Sequence, residues 1–175
     1  MSNLQAELFE QTSGQGTPLV LLHGFGFDHQ IFNPIVPLLE NKYRVIQVDL
    51  PGFGQTPLMP FNAFAEQLIA ELKKPAAMLG WSLGGLIATR LVLEQASAFS
   101  HLINVTSSPH FIADTAWPGI AAETLNRFSD QLRHNPQKTH QDFVALQVPQ
   151  KSEYPIVLPD KLTQEGLAKI GRAHV

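Results

Sequence analysis

The chain contains no cysteine, which excludes disulfides, thiolate metal ligands and a thiol nucleophile, and suits a reducing compartment such as the cytoplasm. No apolar run approaches the roughly 20 residues that a membrane-spanning helix needs, so no membrane partner is read. The first residues, MSNLQAELFEQ, lack a basic stretch followed by an apolar core, and no secretory signal is read there. Charge is also scarce. Charged residues make up 15% of the chain and the formal net charge is -3, a balance that argues against nucleic acid and leaves a small or carrier-borne ligand. With 175 residues and 44% hydrophobic content, the chain fits one globular domain able to bury roughly 70% of its unfolded surface.

Against that plain background one stretch stands out. Ala76 to Arg90, AAMLGWSLGGLIATR, reads as a short apolar strand, a Gly80-Trp81-Ser82-Leu83-Gly84 turn, and an apolar helix. A sharp strand-to-helix turn of this kind lifts the central hydroxyl clear of the backbone. Glycine is needed two residues to either side, because side chains there would meet neighbouring backbone. Ser82 is therefore the expected nucleophile. The bland alternative is a glycine-rich loop carrying a surface serine, and the flanking strand and helix periodicities argue against it.

The chain before this turn prepares a parallel sheet. Ala6 to Gln11 is expected to form an edge strand of a small N-terminal hairpin. Pro18 to Leu22, PLVLL, reads as a strand buried on both faces. It runs into His23-Gly24-Phe25-Gly26, where glycines let the backbone approach a substrate and free an N–H to point at it, so the Phe25 N–H is the expected oxyanion donor. His23 is expected to fix the turn by hydrogen bonds rather than to act as base. A short, proline-broken helix over Phe32 to Glu40 leads to a second buried strand, Tyr43 to Leu50. Asp49, at that strand's end before Pro51-Gly52, is expected to cap the turn, with a catalytic role as the less favoured reading. Phe61 to Lys73 has the spacing of a helix, and His101 to Thr106 that of a fourth parallel strand. Alternating strands and helices give an α/β fold, a parallel sheet with helices on its faces and ligand sites at the carboxyl ends of the strands. From His110 the pattern turns to proline-interrupted amphipathic pieces, with helices expected at Ala121 to Leu132 and Thr139 to Gln147. Residues 1–109 are thus expected to be core and residues 110–169 part of a helical lid.

Taken together, LVLLHGFG, VIQVDLPGFG, MLGWSLGGLIA, SSPHF followed by WPGI, and FVALQ resemble the α/β-hydrolase fold, and within it the pimeloyl-acyl-carrier-protein methyl ester esterases of biotin synthesis. The first three stretches are common to many hydrolases of the fold, and the last two are more particular. The resemblance implies a mostly parallel sheet and Ser82 as nucleophile. It also implies an oxyanion hole from the N–H groups of Phe25 and Leu83, with His23, Gly24, Gly80 and Gly84 shaping the site. Family members more often carry Trp where this chain has Phe25, a change expected to alter acyl packing more than catalysis. Phe143, Val144, Ala145, Leu146 and Gln147 would line the acyl pocket, or else form an ordinary lid-helix face. The implied substrate is a carrier-linked or small ester, with no cofactor, no metal and a monomeric complete protein.

In this fold an acid and a histidine follow the nucleophile, each after a later strand. Neither pattern occurs after Ser82, and Asp160 with His174 has the right order but no preceding strand. The tail Ile170 to Val175, IGRAHV, back-translates to a sequence resembling a sequencing-library adapter. The expectation is therefore the front part of a longer esterase, with its last strands missing, residues 170–175 artefactual, and the 175 residues alone essentially inactive. Two alternatives share the same elbow: a lyase or carbon–carbon hydrolase of this fold, and a non-catalytic binding protein.

Overall fold

The computed structural model describes residues 6–147. A five-stranded sheet runs in the order β1-β3-β2-β4-β5, built from β1 (Glu10–Ser13), β2 (Thr17–Leu22), β3 (Tyr43–Val48), β4 (Ala76–Trp81) and β5 (Phe99–Val105). All neighbouring pairs are parallel except β1 with β3. Between them lie α1 (Val36–Leu39), α2 (Phe61–Ala70) and α3 (Leu83–Glu94), and beyond β5 lie α4 (Ala122–His134) and α5 (Pro136–Gln147).

The apolar run of β2 and the mainly apolar β3 produce the two-faced burial that parallel strands require. Val20, Leu22, Ile46 and Val48 pack with Phe64 and Leu68 of α2 and Leu91 of α3. The alternate residues Leu19, Leu21 and Val45 turn to the other face, against Phe32 and Val36. Gln47 is the polar exception in this core. Its Nε2 donates to the His29 carbonyl at 2.8 Å and to Asn33 Oδ1 at 3.0 Å, which offsets the cost of burying the amide.

The expected N-terminal hairpin is corrected. β1 is an edge strand, but it pairs with β3, Glu10 opposite Val48 and Ser13 opposite Val45, and not with β2. The chain passes over the start of β3 to reach β2, and Gly14 (φ +71) and Gly16 (φ +122) make the crossing possible. A Cβ at Gly14 would meet the carbonyl oxygens of Glu40 and Tyr43, so a crossing this close excludes any side chain.

At the opposite edge β5 has little cover. After buried Phe99 every residue of the strand is exposed, with Leu102 at 36%, Ile103 at 46% and Val105 at 39%. The described part of the expected lid is α4 packed on α5. The remainder of that expected lid and the tail, with Asp160 and His174, lie outside the described residues.

Candidate active site

Ser82 joins β4 to α3 with φ 54 and ψ -117, a left-handed conformation that costs a residue with a Cβ about 1–3 kcal/mol unless its surroundings enforce it. Those surroundings are backbone. A Cβ at Gly80 would strike the Gly84 carbonyl, and one at Gly84 would strike the Leu22 carbonyl. The two glycines expected from the sequence are thus the places where the turn folds onto itself and onto β2. β5 grips the residue from the other side. The Ser82 N–H donates to the Val105 carbonyl at 3.0 Å, and the Ser107 hydroxyl donates to the Ser82 carbonyl at 2.7 Å. The same carbonyl accepts from Gly85 N–H at 3.0 Å and Leu86 N–H at 3.3 Å. Thr106, next to Ser107, is itself at φ 43. Held in this way, the Ser82 hydroxyl caps no helical N–H and is left free for chemistry.

The loop after β2 is organised by His23. Leu50 N–H donates to His23 Nε2 at 2.9 Å, so the ring's proton resides on Nδ1, which donates to the Gly24 carbonyl at 2.8 Å. Burial pushes the His23 pKa down to about 4, and both nitrogens are occupied, which leaves no capacity for a base. Phe27 N–H donates to the same Gly24 carbonyl at 3.3 Å. In a trans peptide the carbonyl and the following N–H point opposite ways, so fixing the Gly24 carbonyl fixes the direction of the Phe25 N–H. Neither the Phe25 nor the Leu83 N–H donates to an acceptor among the described residues. Gly24 itself lies against Trp81, whose ring atoms would be 3.0 Å from a Cβ there.

Asp49 is fully buried and serves the turn. Its Oδ2 accepts from Gln55 N–H at 2.8 Å, and its Oδ1 accepts from His29 N–H at 2.7 Å and His29 Nδ1 at 2.8 Å. Burial alone would raise its pKa, but the His29 hydrogen bond and the backbone donors outweigh burial and the net movement is downward. For His29 burial works against the charged ring, yet the Asp49 hydrogen bond and charge carry its pKa upward. Asp28, His29 and Asp49 place potential metal-ligand atoms within 4.8 Å of one another. The bonds just described already engage them: Asp28 Oδ1 accepts Gln30 N–H at 2.9 Å, and His29 Nδ1 is held on Asp49.

Helices α4 and α5 meet the Gly24–Phe27 loop through aromatic rings. Phe25 makes edge contacts with Phe53 at 5.7 Å, with Phe128 of α4 at 5.6 Å and with Phe143 of α5 at 5.6 Å, and Phe128 lies 5.4 Å from Phe143. Of the FVALQ stretch, Phe143 therefore lies against Phe25 of the Gly24–Phe27 loop and Val144 is buried, whereas Ala145, Leu146 and Gln147 are exposed. The sequence reading missed Phe128. Its signal was the helical spacing of Leu125, Phe128 and Leu132 on an otherwise polar helix, which is the face by which an amphipathic helix touches its neighbour. It also left His140 without a part: this side chain is 4% exposed and its Nε2 donates to the Gly26 carbonyl at 2.7 Å. No histidine nitrogen is hydrogen-bonded to Ser82 among the described residues; those of His23, His29, His101, His134 and His140 that bond do so elsewhere.

Residues 17–149 match the family model described as alpha/beta hydrolase fold. Over 155 residues the chain is 47% identical to the pimeloyl-acyl-carrier-protein methyl ester esterase of Legionella pneumophila (strain Paris), covering 89% of this chain and 64% of that protein. Over 147 residues it is 40% identical to the protein of the same name from Aliivibrio salmonicida, covering 82% and 56% respectively. The chain thus spans less than two thirds of the length of these curated relatives. Among solved structures it is similar to an esterase from Exiguobacterium antarcticum, with TM-score 0.81 and 24% identity over 95% of this chain and 68% of that one. A thermophilic esterase from Thermogutta terrifontis matches at TM-score 0.66 and 21% identity, over 93% of this chain and 67% of that one. At such identities the two structures speak for the fold alone.

Proposed function

This chain belongs to the alpha/beta hydrolase fold family, and from that premise we propose that it carries the nucleophile and oxyanion hole of a serine esterase acting on the methyl ester of a carrier-linked acyl chain. The observation that carries the reading is Ser82 itself, held at φ 54 on a turn that only glycines at 80 and 84 permit. The printed names of the relatives, pimeloyl-acyl-carrier-protein methyl ester esterases, support the substrate class and a place in biotin synthesis.

In the proposed reaction a base takes the Ser82 hydroxyl proton as Oγ attacks the ester carbonyl carbon. The carbonyl oxygen becomes an oxyanion that accepts from the Phe25 and Leu83 N–H groups. Collapse breaks the bond to the methoxy group, which takes a proton from the conjugate acid of the base and leaves as methanol. Water then attacks the acyl-Ser82 ester, releasing the carboxylic acid and restoring the hydroxyl. Each oxyanion donor is worth about 10² to 10³ in rate. Phe25 and Phe143, with Val144 behind, form the apolar wall for the acyl chain. We place the reaction in the cytoplasm, which the cysteine-free composition suits, with the protein a monomer.

We seek the base outside residues 6–147, since His23 and His29 are committed to the fold, His140 to the Gly26 carbonyl, and no described histidine is hydrogen-bonded to Ser82. Removing a triad histidine costs on the order of 10⁶ in turnover, so the 175 residues assayed alone are expected to hydrolyse p-nitrophenyl esters barely above background. The test is to read the frame beyond the Lys169 codon in source DNA and assay its whole product on short p-nitrophenyl esters and on methyl esters. Turnover abolished by Ser82→Ala supports the esterase reading. Activity that survives Ser82→Ala, or its absence from the whole product, refutes it.

A further inference from the structure

We propose that His140 is a positioning residue, a latch that seats the α4–α5 pair on the Gly24–Phe27 loop and thereby holds that loop in the geometry that aims the Phe25 N–H. The second half of the statement rests on the oxyanion reading above. Nothing in the sequence motifs assigns this side chain a part, since on α5 it lies about one turn before the FVALQ stretch and outside every stretch that carries the resemblance.

The latch is built from three observations. First, among the described residues the His140–Gly26 contact is the one hydrogen bond that links residues 110–147 to the core before β5, across a sequence separation of 114. All other described side-chain bonds of that segment are local. Second, the ring occupies the space beside Gly26, where a Cβ would lie 2.6 Å from His140 Cδ2 and 2.7 Å from Nε2. Gly26 has φ +79, so the loop leaves an open seat and the imidazole fills it. Third, the ring is buried and sits 6.4 Å from Phe27 in an edge arrangement, while Phe27 packs on Trp81 at 5.0 Å. Displacing α5 would therefore free the Gly26 carbonyl and loosen Phe27, whose N–H holds the Gly24 carbonyl that orients the Phe25 peptide. Without the latch, the ring contacts that remain between the α4–α5 pair and this loop are the Phe25–Phe128 and Phe25–Phe143 edge pairs. An acyl chain entering between Phe25 and Phe143 must part those rings, and a separate polar tether lets them move while α5 stays seated.

The proposal is tested on the 175-residue chain with His140→Leu, which removes the donor, and His140→Gln, whose Nε2 can restore it. Trypsin offers lid sites at Arg127, Arg133 and Lys138 and core sites at Lys42, Arg44 and Arg90, so the ratio of lid to core cleavage reports local opening independently of global stability. In a Trp117→Phe background the emission of Trp81, which lies against Gly24 and Phe27, reports the loop. The expected result for His140→Leu is a lid-to-core ratio raised about tenfold, the population change that one buried hydrogen bond commands, together with a shifted Trp81 emission. His140→Gln is expected to hold both within about threefold of the parent, the residue of an imperfect hydrogen bond. An unchanged ratio in His140→Leu, equal behaviour of the two variants, lid and core cleavage rising in parallel, or lid release without a change in Trp81 would each overturn the latch. None of these readouts depends on ester hydrolysis, so failure of the esterase reading would be seen only in the substrate assays.

Discussion

The elbow and the lid are both parts of one candidate site, yet they are held by different means. Around Ser82 the constraint is mostly backbone against backbone, Gly80 on Gly84, Gly84 on Leu22 and the Ser82 N–H on the Val105 carbonyl, with the Ser107 hydroxyl on the Ser82 carbonyl. Around α4 and α5 side chains make the contact: four phenylalanine rings against one another and one imidazole on the Gly26 carbonyl. Backbone contact tolerates no substitution and so writes itself into the sequence as glycine at fixed spacing. Ring contact tolerates many substitutions and leaves a weaker trace.

The comparison is broken most severely at the elbow. Gly84→Ala would drive a methyl group into the Leu22 carbonyl, which belongs to the central strand and cannot yield, and a loss of about 3 kcal/mol is expected. A denaturant titration should show the midpoint fall with an unchanged slope. Phe128→Ala, by contrast, removes a half-buried ring from the lid. It should cost about 2 kcal/mol in lid seating, seen as faster amide exchange in α4 and α5 with the exchange of β2 and β3 unaltered. Ser82→Gly sharpens the elbow side with the opposite sign. Relief of the φ 54 strain exceeds the added chain entropy of glycine, so stability should rise by about 1 kcal/mol while any esterase activity is lost. The smallest effect belongs to the lid surface, where Lys138→Ala breaks an exposed pair with Asp142 and should change stability by less than about 0.5 kcal/mol.

Acid and base separate the buried groups in the same manner. His23 has its folded pKa lowered to about 4 by burial, so the unfolded chain binds its proton first. The stability held by neutral His23 is complete above the unfolded value of 6.5 and drains away as the pH falls from there towards 4. His29 moves the other way. Its folded pKa is raised, so the stability of its charged pair with Asp49 is complete below the unfolded value of 6.5 and is lost as the pH rises through the folded one. Melting temperature against pH should therefore pass through a maximum near that unfolded value, and His29→Gln should flatten the alkaline limb and, by removing the bond that lowers the Asp49 pKa, alter the acid limb as well.

The sequence disclosed what periodicity and glycine spacing encode. The strands over residues 18–22, 43–50 and 76–79 announced themselves as strongly apolar stretches, and the Gly80-x-Ser82-x-Gly84 spacing declared a turn whose backbone has no room. His23 and Asp49 were legible as turn-fixing residues because each stands at a strand end where a glycine-containing turn begins, His23 before Gly24 and Asp49 before Pro51-Gly52. The pairing of β1 was not legible: a short polar strand beside a glycine-rich turn looks the same whether it folds back on its neighbour or steps over it, and only the contact of Gly14 with Glu40 and Tyr43 decides. Phe128 and His140 stayed hidden for a related reason. Their partners are 103 and 114 positions away, and no local pattern records a contact made across that distance.

The central claim is that Ser82 is the nucleophile of an ester hydrolase. It is tested most directly by treating the whole product of the source reading frame with a fluorophosphonate and locating the adduct by peptide mass spectrometry. The account predicts a single phosphonylated residue, Ser82, with labelling lost in Ser82→Ala and slowed by an added acyl methyl ester. Labelling at another serine, or ester hydrolysis by a protein whose Ser82 stays unmodified, would contradict it.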